Sequence, residues 1–129
     1  MLNLHSGILP DYRGVMATFR AMLNEEPEIG ATLHWIVDSG IDTGPEIGIS
    51  RARTQPEESY LANVLRLIIE GCKMMAAALE TLAHKKIQRS APRAMGQGRY
   101  YSTPDAEAIE CFLAKGLKLV SGEELALIS

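Results

Sequence analysis

The strongest periodic signal in the chain is the run Leu61, Leu65, Ile68, Cys72, Met75, Leu79 and Leu82, which traces one apolar stripe along a long helix. Pro56-Glu57-Glu58 marks its start, because acidic groups favour the positive end of the helix dipole, and Lys85 and Lys86 suit the other end. The stripe lasts only about three heptads, so packing on a sheet is expected rather than a coiled coil. Val15, Phe19, Met22 and Leu23 recur at helical spacing and predict a short helix over 15–24, ended by Asn24-Glu25-Glu26-Pro27. Residues 31–37 and 47–52 read as strands. The turn Asp38-Ser39-Gly40 and the loop Asp42-Thr43-Gly44-Pro45 connect them, a link short enough to make the pair antiparallel.

Residues 1–5 read as the end of a strand, followed by a loop punctuated by Gly7, Pro10 and Gly14. Beyond the long helix, 99–102 reads as a short strand, 105–115 as a helix that Gly116 ends, and 117–120 as a last strand. The sum is an α/β chain, a small mixed sheet with a long helix packed on it. It divides into a core portion over 1–89 and a strand-helix-strand extension over 90–129.

Composition narrows the function without naming it. With 47% hydrophobic and 22% charged residues in 129, the chain has the makings of one ordinary core. A net charge of −3 gives no basic surplus for a phosphate backbone, so nucleic acid is not an expected partner, although Arg89, Arg93 and Arg99 leave room for a local basic patch. Cys72 and Cys111 stand far apart with neither disulfide nor zinc spacing, which suits a reducing cytoplasm. No apolar run approaches the roughly 20 residues of a membrane span, so no membrane partner is expected.

Three groups carry candidate chemistry: Asn3-Leu4-His5, the loop Leu9-Pro10-Asp11-Tyr12-Arg13-Gly14, and Thr32-x-His34 followed by Ile41-Asp42-Thr43-Gly44. Singly each is commonplace: a lone histidine at a strand end is more often a satisfied structural residue, and Asp-Thr-Gly is a frequent turn. Asn3 and His5, two apart on an extended segment, leave it on the same face. Ser6 leaves on the opposite one, which argues against a Ser-His nucleophile. His84, among lysines at a helix end, suits the dipole. Arg13 suits either an anionic substrate group or a salt bridge that pins the loop. His34 suits either support of the Asp42 loop or a structural hydrogen bond. Nothing in the spacing of His5, His34 and Asp42 asks for a metal.

In order, Asn-x-His, Leu-Pro-x-Tyr-Arg-Gly, Gly-x-Thr-x-His and Asp-x-Gly resemble the signature of the folate-dependent formyltransferases, whose members act on glycinamide ribonucleotide, methionyl-tRNA and amino sugars. The resemblance implies that Asn3, His5 and Asp42 are catalytic, that Gly7, Leu9, Arg13, Ile41 and Gly44 line the folate and substrate sites, and that Thr32 and His34 support them. It implies 10-formyltetrahydrofolate as formyl donor, no metal, and a small-molecule amine as acceptor. Ser6-Gly7 stands where the family commonly has Pro-Ser, and Gly7 is expected to loosen the loop. In the family a nucleotide-fold half precedes Asn-x-His. The expectation is therefore an incomplete catalytic domain, inactive alone, with an exposed sheet edge open to self-association or to a complementing N-terminal half. Hydrolysis of the formyl donor to formate, and a noncatalytic remnant serving as an interaction module, are the alternatives.

Overall fold

A computed structural model describes residues 1–84 and 96–126. The fold is α/β. Strand β1 (Leu2–His5) pairs antiparallel with β3 (Glu28–Trp35), which pairs antiparallel with β4 (Glu46–Arg53), giving the order β1-β3-β4. The parallel component lies in a separate two-stranded ladder between β2 (Arg13–Gly14) and β5 (Tyr100–Tyr101). Helix α1 (Ala17–Leu23) precedes β3, the long helix α2 (Tyr60–Ala83) follows β4, and α3 (Ala106–Ala114) and α4 (Gly122–Ala126) end the described chain.

The register sets the two faces of the sheet. Leu4 stands opposite Leu33, while Asn3 stands opposite His34 and His5 opposite Thr32. Alternation along the strands therefore places Asn3, His5, Thr32 and His34 on one face and leaves Leu4, Ile29, Ala31 and Leu33 for the other. Ile29 and Ala31 join Leu67 of α2, Ala17 and Ala21 of α1, and Tyr12 in one buried cluster. Phe19 and Met22 join Ala108, Phe112 and Leu117 in a second, where the Phe19 and Phe112 rings stack at 4.4 Å. This second cluster fastens the C-terminal segment to the first helix.

The sequence-based reading of α2 needs correction in two respects. Its N-cap is Ser59, whose side chain accepts from the Ala62 amide, and no acidic residue lies in its first turn. Ser59 wins because a hydroxyl acceptor meets an unpaired amide directly, whereas Glu57 and Glu58 lie outside the helix. The buried residues are Asn63, Leu67, Gly71 and Ala78. At about 100° per residue these centre near Leu67, and the predicted stripe lies roughly 100° further round. Leu65, Ile68 and Leu79 of that stripe are exposed.

Where the stripe points follows from the contacts of the buried face. Gly48 of β4 approaches Met74, and Gly71 approaches Leu4 of β1. Continuing in the same sense around the helix, past Gly71, brings Ile68, Leu79, Cys72 and Leu65. The unburied stripe thus overhangs the side of the sheet where β1 has no further strand among the described residues.

Other boundaries moved for local reasons. Val15 lies outside α1, because its amide donates to Tyr101 O and Met16 adopts a left-handed conformation with φ 53°. Strand β3 starts earlier than predicted and ends at Trp35, leaving Ile36 and Val37 exposed. Residues 117–120 form no strand: Leu117 enters the second cluster, and the carbonyls of Lys118 and Leu119 accept from the Tyr60 and Leu61 amides at 2.7 and 3.1 Å. Helix α3 stands where expected, capped by Asp105, with Gly116 at φ 77° beyond it. His84 is the exposed C-cap of α2. Lys85, Lys86, Arg89 and Arg93 lie outside the described residues, and Arg99 is exposed.

Candidate active site

The end of β1, the middle of β3 and the loop between β3 and β4 meet around the carboxylate of Asp42. Asn3 Nδ2 donates to Asp42 Oδ1 at 3.2 Å, and His5 Nδ1 lies 3.4 Å from Asp42 Oδ2. The Gly14 amide donates to Oδ2 at 2.9 Å, and His34 Nε2 lies 3.4 Å from Oδ1. Residues far apart in the chain thus converge, and the point on which Asn3 and His5 converge is an anionic oxygen pair. His5, His34 and Asp42 are buried and Asn3 is half-buried.

Two backbone features bring Asp42 there. Asp42 itself has φ 53°, a left-handed conformation that a short polar side chain tolerates better than most. Gly44 is pressed so closely on the Trp35 carbonyl that a Cβ would stand 1.5 Å from its oxygen. Only glycine fits that approach.

Burial works against the negative charge of Asp42. Hydrogen bonding from the His34 side and from the Gly14 amide, with the His5 and His34 charges, outweighs it and holds the carboxyl below the usual carboxylate range. The side chain is therefore a carboxylate at neutral pH, able to accept a proton.

Hydrogen bonds fix the two imidazoles differently. His34 Nδ1 meets the Trp35 carbonyl at 3.1 Å, and its Nε2 lies 3.1 Å from Asn3 Nδ2 and 3.4 Å from Asp42 Oδ1. His5 Nε2 meets the Tyr12 carbonyl at 2.5 Å. Both His5 nitrogens therefore face acceptors, and only the doubly protonated ring donates to both. Tyr12 is held in turn by a bond from its hydroxyl to Glu26 Oε1 at 2.7 Å. Burial pushes its phenol up to about 12, the Asn24 donor opposes that, and Glu26 adds to it.

The remaining predicted residues divide. Thr32 Oγ1 donates to the Gly7 carbonyl at 2.6 Å and accepts from the Leu9 amide at 3.2 Å, so the segment after His5 is pinned to β3. The expected loosening at Gly7 is not what the fold shows: Gly7 is buried, and a Cβ there would meet Ala17, His5 and Tyr12 at 2.6–2.7 Å. Leu9 is 3% exposed and belongs to the core. Arg13 donates to the Gly98 carbonyl at 2.9 Å. Ile41 is exposed beside Asp42. Sequence reasoning missed the Gly14 amide and the Tyr12 carbonyl, because main-chain groups leave no residue-type signature.

A cavity of about 470 Å³ is lined by Tyr12, Glu26, Glu28, Arg51, Arg99 and Tyr101 among others. Among the described residues no cluster of His, Cys, Asp and Glu could hold a metal ion, and no helix is long and apolar enough to cross a membrane.

Comparisons with known proteins show the family. Methionyl-tRNA formyltransferase of Thermus thermophilus is 32% identical over 115 residues, which cover 84% of this chain and 37% of the relative. The chain thus spans well under half the length of that relative. Among solved structures, the formyltransferase PseJ of Anoxybacillus kamchatkensis, determined with a UDP-linked formamido sugar and tetrahydrofolate, superposes with a TM-score of 0.73 at 25% identity, covering 92% of this chain and 61% of that one. WlaRD, a sugar 3N-formyltransferase determined with dTDP and 5-N-formyl-THF, gives 0.69 at 26% identity over 79% of this chain and 36% of that one. The family model for formyl transferase matches residues 1–79, most of the chain. This chain belongs to the formyl transferase family.

Proposed function

We propose that the site formed by Asn3, His5 and Asp42 transfers a formyl group from 10-formyltetrahydrofolate to an amine. The observation that carries this reading is the convergence of an amide donor and an imidazole donor on an ionised carboxylate, on one face of the sheet. The amine nitrogen attacks the formyl carbon, a C–N bond forms, and the carbonyl oxygen becomes an oxyanion. Asn3 Nδ2 and the His5 imidazolium supply its donors, in exchange for their present bonds to Asp42. Asp42 takes the proton lost by the amine and returns a proton to N10 of the folate as the C–N10 bond breaks, directly or through water. The products are a formamide and tetrahydrofolate. Ile41 and Gly44 flank Asp42 in the chain, which supports reading this loop as part of the folate and amine site, and Gly7 follows His5 closely in the chain.

A small amine acceptor is favoured because PseJ was determined with a UDP-linked formamido sugar and tetrahydrofolate, and WlaRD, a sugar 3N-formyltransferase, with dTDP and 5-N-formyl-THF. The overhang of α2 beyond β1, with Leu65, Ile68 and Leu79 exposed, supports the further reading that a sheet segment outside these residues completes the domain. The same reading places the enzyme in the cytoplasm.

The experiment measures tetrahydrofolate, formate and formylated amine by mass spectrometry, with 10-formyltetrahydrofolate and a panel of amino sugars and nucleotide-linked amines, using the chain alone and joined to the complementary half-domain of a relative. Formylated amine from the joined protein, lost by at least about 10²-fold in Asp42→Asn, is expected. Formate alone assigns hydrolysis instead, and an unchanged Asp42→Asn rate removes the proton-transfer role.

A further inference from the structure

We propose that the main-chain carbonyl of Tyr12 is the positioning group for His5, and that Gly7 is the residue that lets the imidazole reach it; the proposal rests on the catalytic reading of His5 above. His5 Nε2 and the Tyr12 carbonyl oxygen stand 2.5 Å apart in a buried environment, so the proton on that nitrogen is committed to the protein. With Nε2 tied, the ring can turn only as far as the bond allows. Its other nitrogen then faces Asp42 Oδ2.

The carbonyl is itself anchored at several points. The Tyr12 amide donates to Ile8 O at 3.1 Å, closing a tight loop. Its hydroxyl donates to Glu26 and accepts from Asn24 Nδ2 at 3.2 Å. Its ring stacks on Tyr101 with centroids 5.5 Å apart and planes 14° from parallel. A group anchored from both backbone and side chain can orient a partner without being displaced by it.

Gly7 is the clearance. A Cβ built there would stand 2.7 Å from His5 Nε2 and 2.7 Å from Tyr12 O at once, closer than non-bonded carbon approaches either atom. It would also stand 2.6 Å from Ala17 Cβ, which blocks retreat into the core. On this chain's backbone, a side chain added at position 7 therefore acts as a wedge in this one hydrogen bond. The chemistry that follows is specific: His5 serves the reacting centre through the nitrogen facing Asp42, and Nε2 serves orientation.

The test is an NMR measurement on the ¹⁵N-labelled chain, which requires no turnover. In the wild-type protein His5 should show a proton bound to Nε2, protected from exchange with water and close in space to Tyr12. Gly7→Ala should lose that protected resonance while the amide spectrum of α3 is retained. Tyr12→Phe should keep it, because the acceptor is main-chain. A wild-type Nε2 without a bound proton overturns the proposal, as does a protected resonance that persists in Gly7→Ala or vanishes in Tyr12→Phe. Should Gly7→Ala not fold, the wild-type and Tyr12→Phe spectra still decide. In a protein shown to transfer formyl, Gly7→Ala should lower kcat with KM little changed, a split that general loosening does not give. A failed transfer assay leaves the ring measurement standing, and a failed ring measurement leaves the transfer reading standing.

Discussion

Replacing Asp42 by Asn isolates what the carboxylate contributes to the fold. The substitution keeps side-chain volume, and Asn tolerates the left-handed backbone at φ 53° at least as well as Asp, so backbone strain does not confound it. Only charge and hydrogen-bond pattern change. Asp42 accepts from Asn3 Nδ2 on one oxygen and from the Gly14 amide on the other, with His5 and His34 each 3.4 Å away. Asn offers one acceptor oxygen, so one of the two donors must face an NH₂ group. Losing one hydrogen bond to a charged acceptor costs about 1.5–3 kcal/mol, and a Tm fall of roughly 5–15 °C follows.

The pH dependence gives the sharper test. Burial opposes ionisation of Asp42, but its hydrogen bonds and the neighbouring imidazoles hold its folded value below the ordinary one. Such a group binds more protons unfolded than folded. Its contribution is therefore fully present above the unfolded value of about 3.9 and is lost as pH falls through the folded value. Urea denaturation of wild type and Asp42→Asn should give a wide gap at pH 7 that narrows below about pH 4. Equal stabilities at pH 7, or a gap that stays constant down to pH 3, would refute the electrostatic account.

Other outcomes follow from the packing. Phe112→Ala removes a fully buried ring stacked on Phe19 and should cost about 3–5 kcal/mol, read by chemical denaturation, with amide exchange rising first in α3. Ser59→Ala deletes the acceptor for the Ala62 amide and the donor to Glu124, and should cost about 1 kcal/mol, seen as faster exchange in the first turn of α2. Gly44→Ala, with its Cβ 1.5 Å from the Trp35 oxygen, should displace the Asp42 loop, measurable as shifted Gly14 and Asp42 amide resonances.

Legibility in the sequence tracked physical cause. Alternation on β1 put Asn3 and His5 on one face, and the short link between β3 and β4 made that pair antiparallel, because both rest on local geometry. The placement of Asp42 beside His5 was accessible only through motif order, since the register between β1 and β3 is a long-range property. The stripe on α2 is apolar, and part of it is uncovered among the described residues. Periodicity reports what a helix could cover, not what lies beneath it, and Leu65, Ile68 and Leu79 cover nothing described here. Residues 117–120 looked like a strand because Leu117 and Leu119 alternate, yet their carbonyls found helix amides instead of a neighbouring strand. The Tyr12 carbonyl and Gly14 amide were invisible for a simpler reason: every residue but proline carries both groups.

The bonds from Tyr60 and Leu61 to the carbonyls of Lys118 and Leu119 bear on the order in which the molecule assembles. The longest helix has its opening amides satisfied by a stretch that a ribosome adds nearly sixty residues later. While that stretch is still unmade, the start of the helix stays hydrated and prone to unravelling. Synthesis from the amino end therefore delivers the sheet first and a finished helix last, so premature termination before Lys118 should weaken an element encoded well upstream of the stop.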